Sequence, residues 1–126
     1  MDITNSFRSL ATVVALCAAT FCGCGDKPAP EPISAAEVPK TLDNAFNSAS
    51  PEARAAAKAA AEALQKDEQS MALDALEALA QKTDLTPEQR EAAAKAAVSV
   101  RAGIVDAAAK GDAAAQAYLE EQRARK

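Results

Sequence analysis

The side chains best suited to covalent or metal chemistry lie at the start of the 126-residue chain. Its three cysteines, Cys17, Cys22 and Cys24, fall within one short stretch, and the chain contains no histidine. Without histidine, the commonest zinc ligand and the usual proton shuttle at neutral pH are both missing. A metal or redox role for the Cys-x-Cys pair is one interpretation, but the pair borders an apolar run and no further ligand follows. The pattern therefore favours covalent modification of one thiol.

The apolar run that precedes these cysteines is "LATVVALCAATF", residues 10–21, and Arg8 is the one basic residue before it. It is too short to cross a bilayer, which needs about 20 apolar residues, but it matches the apolar core of a signal peptide. The following "FCGC" resembles the processing box of bacterial lipoprotein precursors. That resemblance implies removal of residues 1–23 and attachment of lipid, including palmitate, to Cys24. Several acyl chains on one cysteine give a durable membrane anchor.

The residue after the predicted lipid site bears on the destination of the protein. Gly25 follows Cys24 where the inner-membrane retention signal of enteric lipoproteins has Asp. By that resemblance we expect the cell outer membrane, with the domain facing the periplasm. Two alternatives remain open: ordinary signal-peptidase cleavage after Ala19 with secretion, and an uncleaved apolar anchor.

A proline-rich stretch, "GDKPAPEPISAAEVPK", connects the lipid site to the rest of the chain. Proline fixes the backbone and removes a hydrogen-bond donor, so such a sequence favours an extended spacer over a helix. We therefore predict a tether over residues 24–38. A proline-motif ligand for an SH3-like domain is the alternative, and it suits an envelope protein poorly.

Residues 39–126 have the composition of a helical domain, since Ala, Glu, Lys, Leu, Gln and Arg predominate. A short leading helix is predicted from Pro39, followed by four longer helices. Helix signals for these four are Ser50 before Pro51, Asp67 as the cap of the next helix, Thr86 with Gln89 in capping-box spacing, and Gly111 followed by Asp112. The fold class predicted is all-α.

Two of these helix starts are similar to each other. "SPEARAAAKAA" and "TPEQREAAAKAA" begin 36 residues apart, and each is followed by a second helical stretch after a polar break. The arrangement resembles a degenerate pair of tetratricopeptide-like repeats. The alternative is two alanine-rich helical hairpins that share good capping residues by coincidence. Either way, the domain consists of two hairpins and the leading helix.

The expected core of this domain is thin, because most of its apolar residues are alanines. The large apolar residues available are Leu42, Phe46, Leu64, Met71, Leu73, Leu76, Leu79, Leu85, Val98, Val100, Ile104, Val105, Tyr118 and Leu119. On the helix after Asp67 the inward face is predicted to be Ala72, Leu73, Leu76, Leu79 and Ala80. Small domains are often completed by a partner, so we expect a protein partner or self-association.

Several functional classes are disfavoured by what the chain lacks. Its net charge is −4 without a basic stripe, so we expect no nucleic-acid partner. There is no glycine-rich phosphate loop, and acidic neighbours such as Asp67–Glu68 and Glu120–Glu121 fit helix ends better than acid–base catalysis. We expect no enzyme activity, no cofactor, no metal site and no small-molecule substrate.

The end of the chain suggests the second functional hypothesis. "YLEEQRARK" resembles the terminus of murein lipoproteins, whose last lysine is joined to peptidoglycan, and Lys126 is the matching residue. The main hypothesis is a non-catalytic scaffold or adaptor of the cell envelope that presents helix faces to a protein partner. The alternative is a structural link between membrane and peptidoglycan through Lys126.

Overall fold

The computed structural model describes residues 29–125, and within that range the chain forms five helices and no strand. These are α1 (Val38–Phe46), α2 (Pro51–Gln65), α3 (Gln69–Ala80), α4 (Pro87–Ala109) and α5 (Ala113–Ala124). The prediction of an all-α chain with one short leading helix and four longer ones is confirmed. The predicted signal peptide, Cys24 and Lys126 lie outside the described residues.

Three of the predicted helix caps form as expected. The Ser50 hydroxyl accepts a hydrogen bond from the Ala53 backbone N–H at the start of α2, and Asp112 does the same for Ala115 at the start of α5. At α4, the Thr86 side chain accepts from the Gln89 N–H while the Gln89 side chain accepts from the Thr86 N–H, which completes a capping box.

The prediction that Asp67 caps α3 is wrong. The residue before α3 is Glu68, and its side chain makes no capping bond. Asp67 instead has a left-handed backbone, with φ of 63°, and ends α2. Its N–H donates to the Leu64 carbonyl, and the Glu68 N–H donates to the Ala63 carbonyl, the two bonds of a Schellman motif. The α2–α3 connection is so short that the residue reversing the chain cannot also serve as the N-cap of α3.

The core lies between α2, α3 and α4, which pack side by side in chain order, and α1 lies against α2 and α4. The buried apolar residues are Val38, Leu42, Phe46, Ala49, Ala53, Ala57, Ala60, Ala61, Ala63, Ala72, Leu73, Leu76, Leu79, Leu85, Ala92, Ala93, Ala96, Val100, Ile104 and Ala115. More than half of them are alanines, which allow helices to approach closely. The inward face predicted for α3 is confirmed, with Ala80 half-buried.

The structure corrects the expected core at three positions. Met71 and Val105 were expected inside but are 60% and 50% exposed. Successive helix residues are rotated by about 100°, so Met71, directly before the buried Ala72, turns out of the inward face of α3. Val38, which was not expected in the core, is fully buried at the start of α1.

The chain packs against the helices before α1 begins. The Ile33 backbone N–H donates to the Ser99 hydroxyl of α4 at 2.8 Å, and the Ile33 side chain packs against the core. The Ser99 hydroxyl in turn donates to the Lys95 carbonyl one turn earlier. Within the predicted tether, Ile33 therefore lies against the domain and Val38 belongs to α1, while residues 34–37 between them are exposed.

Candidate functional site

The two site residues predicted from sequence, Cys24 and Lys126, lie beyond the two ends of the described chain. Near the N-terminal end of the described chain, the Ile33 backbone N–H donates to the Ser99 hydroxyl of α4. Near the C-terminal end, the last turn of α5 lies close to Arg101, which also belongs to α4. Residues 99 and 101 are about 200° apart around α4. The two ends of the described chain therefore lie on opposite sides of the longest helix.

A polar cluster joins α5 to α3. The Tyr118 hydroxyl donates to Asp74 Oδ1 at 2.7 Å, and Gln122 Nε2 donates to the same hydroxyl at 3.0 Å. The pKa of Tyr118 is raised to about 12. The main cause is burial of the phenol, and the hydrogen bond to Asp74 and the negative charge of Asp74 raise it further. The phenol is therefore neutral at physiological pH and cannot act as a base there. Its evident role is to hold α5 on α3.

Beside this cluster, an ion pair between Arg101 of α4 and Glu77 of α3 closes one side of an open groove of about 350 Å³. Leu119, Gln122 and Arg123 of α5 form the other side. Arg123 has no carboxylate partner among the contacts of this groove, so the α5 side presents a positive charge. The groove could hold an acidic side chain, but no carbonyl-activating or nucleophilic group lines it.

A larger groove, of about 430 Å³, runs between α1 and α2. Its floor is formed by Leu42 and Phe46, which are almost fully buried. The rim is polar and carries both charge signs together with two carboxamides: Asp43, Asn44, Asn47, Arg54 and Lys58. Because Leu42 and Phe46 expose almost no surface, a ligand in this groove would contact mainly the polar rim.

One rim residue of this groove is already engaged. The Arg54 guanidinium donates to the Ala49 carbonyl just before α2. Arg90 makes the equivalent bond to the Leu85 carbonyl before α4. Arg54 therefore has a structural role that Arg90 also has at the start of α4. The groups left to contact a ligand are Asp43, Asn44, Asn47 and Lys58. Sequence reasoning did not find this groove, because α1 meets α2 only in the tertiary structure.

A second Schellman turn ends α4, where the Gly111 N–H donates to the Ala108 carbonyl and the Asp112 N–H to the Ala107 carbonyl. A third, smaller cavity of about 130 Å³ lies between this turn and the turn at Asp67. It is lined by Asp67 and Gln69 on one side and by Asp112 and the start of α5 on the other. Both carboxylates are engaged, Asp112 as the cap of α5 and Asp67 as the acceptor of a weak bond from Gln69 at 3.4 Å. Gly103 also belongs here, since a Cβ on it would lie 3.2 Å from the Gln69 side-chain oxygen.

Two kinds of site are absent from residues 29–125. No three acidic, histidine or cysteine side chains in that range converge as metal ligands. None of the five helices combines the length and apolar character needed to cross a bilayer.

Comparisons with known proteins add no relative. Neither the protein-family models, nor the curated proteins, nor the solved structures contain a match to this chain. Function must therefore be argued from the residues and surfaces of this protein alone.

Proposed function

We propose that this protein is a lipid-anchored adaptor of the cell envelope, without catalytic activity, that binds a protein partner through the groove between α1 and α2. The lipid is carried by Cys24, as the "FCGC" sequence implies, and the domain faces the periplasm from the outer membrane. The groove is the observation on which the adaptor role depends.

The groove suits a peptide segment of a protein partner. Asn44 and Asn47 each offer an amide donor and a carbonyl acceptor, the pair of groups that an extended peptide backbone also presents. Asp43 and Lys58 place a negative and a positive charge on the same rim. Such a rim recognises a segment that carries both charge signs, and the buried Leu42 and Phe46 beneath it keep the groove in shape.

A cross-linking experiment in cells tests the groove. Full-length protein with Asn44→Cys is labelled with a photoactivatable maleimide, and Ala59→Cys, an exposed alanine of α2, is the matched control. The unsubstituted chain gives the background from the native cysteines. We expect a discrete adduct from position 44 that position 59 does not give.

The same adduct must depend on the chemistry of the rim. Lys58→Glu reverses one rim charge and breaks only a surface pair with Glu62, of 3.8 Å, which contributes little to stability. We expect this change to weaken the adduct from Asn44→Cys severalfold. Equal adducts from positions 44 and 59, or an adduct that is insensitive to Lys58→Glu, would exclude the groove as the binding surface.

The membrane address is tested separately, by palmitate labelling of the wild type beside Cys24→Ser and Cys22→Ser. Loss of label in Cys24→Ser alone supports the proposed anchor. An unlabelled wild type would leave a secreted protein or an uncleaved segment, and the proposal of lipid anchoring would be withdrawn.

The second candidate function is a link between membrane and peptidoglycan through Lys126. It is favoured by the position of the last turn of α5, where Arg123, Ala124 and Arg125 are all exposed. Sacculi extracted with sodium dodecyl sulfate should then retain the wild type until the murein is digested. Lys126→Arg, which keeps the charge but lacks the amine, should be extracted completely. Complete extraction of the wild type contradicts this function and leaves the adaptor role untouched.

A further inference from the structure

Helix α4 carries an apolar stripe that no other helix of the described chain covers. The stripe consists of Ala94, Val98, Ala102, Val105 and Ala109, spaced three or four residues apart. This spacing keeps the five residues on one side of a helix, about 24 Å long at 1.5 Å per residue. Ala102, Val105 and Ala109 are exposed, and Ala94 and Val98 are half-buried. The opposite side of α4, with Ala93, Ala96 and Val100, faces the core.

The two valines distinguish this stripe from the exposed alanines found elsewhere on the domain. Val105 is 50% exposed, and Met71 on α3 is the other large apolar residue with comparable exposure among the described residues. An alanine and valine stripe with this spacing is the kind of surface that a second helix covers in coiled-coil packing.

Four charged residues on and beside the stripe alternate in sign: Glu91 lies in line with it, Lys95 and Asp106 lie along one edge, and Lys110 lies beyond that edge. Within one chain they form two pairs along the helix, with Lys95 Nζ 2.7 Å from Glu91 and Lys110 Nζ 2.5 Å from Asp106. All of these side chains are at least partly exposed to solvent, and Lys95 also lies near Glu31 of the segment before α1.

This set of charges is complementary to itself when the helix direction is reversed. Positions 91 and 110, and likewise 95 and 106, are symmetric about the same point, midway between residues 100 and 101. In an antiparallel pair of α4 helices centred there, Lys95 of each copy faces Asp106 of the other, and Glu91 lies at the same height as Lys110 of the other. The apolar stripe, which extends from 94 to 109, is centred within one residue of the same point.

We propose that the stripe on α4 is the interface of a homodimer, in which two copies of this chain pack α4 against α4 in antiparallel orientation. A twofold axis close to residues 100 and 101 generates both Lys95–Asp106 pairs at once, as an isologous interface requires. The other edge of the stripe carries Arg101, whose charge is already paired with Glu77 of its own chain. In the dimer the two copies of Arg101 lie near the axis, and each is paired with Glu77 of its own chain, which reduces the repulsion between them.

Cysteine cross-linking of the full-length chain in cells tests this interface. Ala102 lies next to the proposed axis, so Ala102→Cys should form a dimer with a short bismaleimide, while Ala59→Cys on the exposed side of α2 should not. The unsubstituted chain gives the background from its three native cysteines. A singly reactive maleimide probe, added to a parallel sample that receives no cross-linker, measures whether position 102 is accessible.

Charge reversal then separates an interface from a purely structural role. Lys95→Glu places like charges opposite Asp106 twice in the dimer, so we expect the cross-linked fraction to correspond to an association about tenfold weaker. Adding Asp106→Lys restores both intermolecular pairs but leaves the pairs within each chain broken. Recovery in the double variant therefore reports contact between copies.

Each outcome decides the proposal. Dimer from Ala102→Cys, its loss with Lys95→Glu and its recovery in the double variant support the homodimer. Equal cross-linking at positions 59 and 102 overturns it, as does an adduct of a mass other than that of two copies, which means that another protein covers the stripe. A position 102 that neither forms a dimer nor reacts with the probe also overturns it, because something other than a second copy of α4 then covers the stripe. None of these results bears on the groove between α1 and α2.

Discussion

The two hairpins, α2–α3 and α4–α5, share local structure at their ends and differ in what surrounds them. Each first helix begins with a hydroxyl cap and proline, and carries an arginine that bonds back to the carbonyl before the cap. Each ends in a Schellman turn, formed by Asp67 in one hairpin and Gly111 in the other. The first helix of the second hairpin is longer, with 23 residues against 15.

Burial separates the hairpins despite this similarity. In the first, α2 and α3 are both packed in the bundle, and α3 alone buries Ala72, Leu73, Leu76 and Leu79. In the second, α5 buries one residue, Ala115, and is held further by half-buried Tyr118 and Leu119. The two hairpins thus have similar capping residues, but α5 buries much less of its surface than α3. We expect α5 to be the less stable helix, because most helical stability in proteins comes from packing of a helix face.

The largest expected effect contrasts a core leucine of the first hairpin with the apolar anchor of the second. Leu76→Ala removes a fully buried side chain, and we expect the free energy of unfolding to fall by about 2–5 kcal/mol. Leu119→Ala removes a half-buried one, and a loss of about 1 kcal/mol follows from its smaller buried area. Urea unfolding followed by circular dichroism measures both. Equal losses would show that α5 belongs to the same cooperative core as α3.

The next contrast concerns the two Schellman turns. Gly111 has φ of 94° with nothing near its Cβ position, so Gly111→Ala should lower the free energy of unfolding by about 1 kcal/mol through backbone strain alone. Asp67 already bears that strain at φ of 63°, and Asp67→Gly should raise the free energy of unfolding by about 0.5–1 kcal/mol. Thermal unfolding at fixed pH compares the two variants. A loss on Asp67→Gly would mean that the carboxylate stabilises the turn more than its backbone strains it.

The last contrast lies in the alkaline range and concerns only the second hairpin. The pKa of Tyr118 is raised to about 12 in the folded state, above about 10 in an unfolded chain. The neutral Tyr118 phenol therefore contributes fully to the free energy of unfolding below pH 10, and this contribution is lost as the pH rises from 10 to 12. The wild type should lose more stability across that range than Tyr118→Phe, in which the phenol cannot ionise. Parallel curves for the two proteins would mean that the hydrogen bond to Asp74 does not hold α5 in solution.

Local signals account for the part of the fold that was predictable. The caps at Ser50, Thr86 and Asp112 depend on side chains that reach a backbone N–H three residues ahead, so their geometry is set within one turn of the chain. The failure at Asp67 has the same origin. Aspartate fits both a helix cap and a left-handed turn, and the length of the break decided between them.

Contacts between distant residues account for what was not predictable. The bond from Ile33 to Ser99 and the bond from Tyr118 to Asp74 join residues 66 and 44 positions apart, and no local pattern marks either pair. The groove between α1 and α2 is likewise formed by two helices whose individual sequences give no sign of it. Both residues predicted as attachment sites lie outside the described chain, so they remain predictions.

The sequence by itself determined the helical class, most helix boundaries and the inward face of α3, because capping bonds and apolar periodicity act over a few residues. Only the tertiary structure decided which apolar residues are buried. Val100 and Val105 both lie within α4, yet Val100 is buried and Val105 is on the side that no helix of the described chain covers. Burial depends on which helix lies alongside, and that is a property of the whole packed chain.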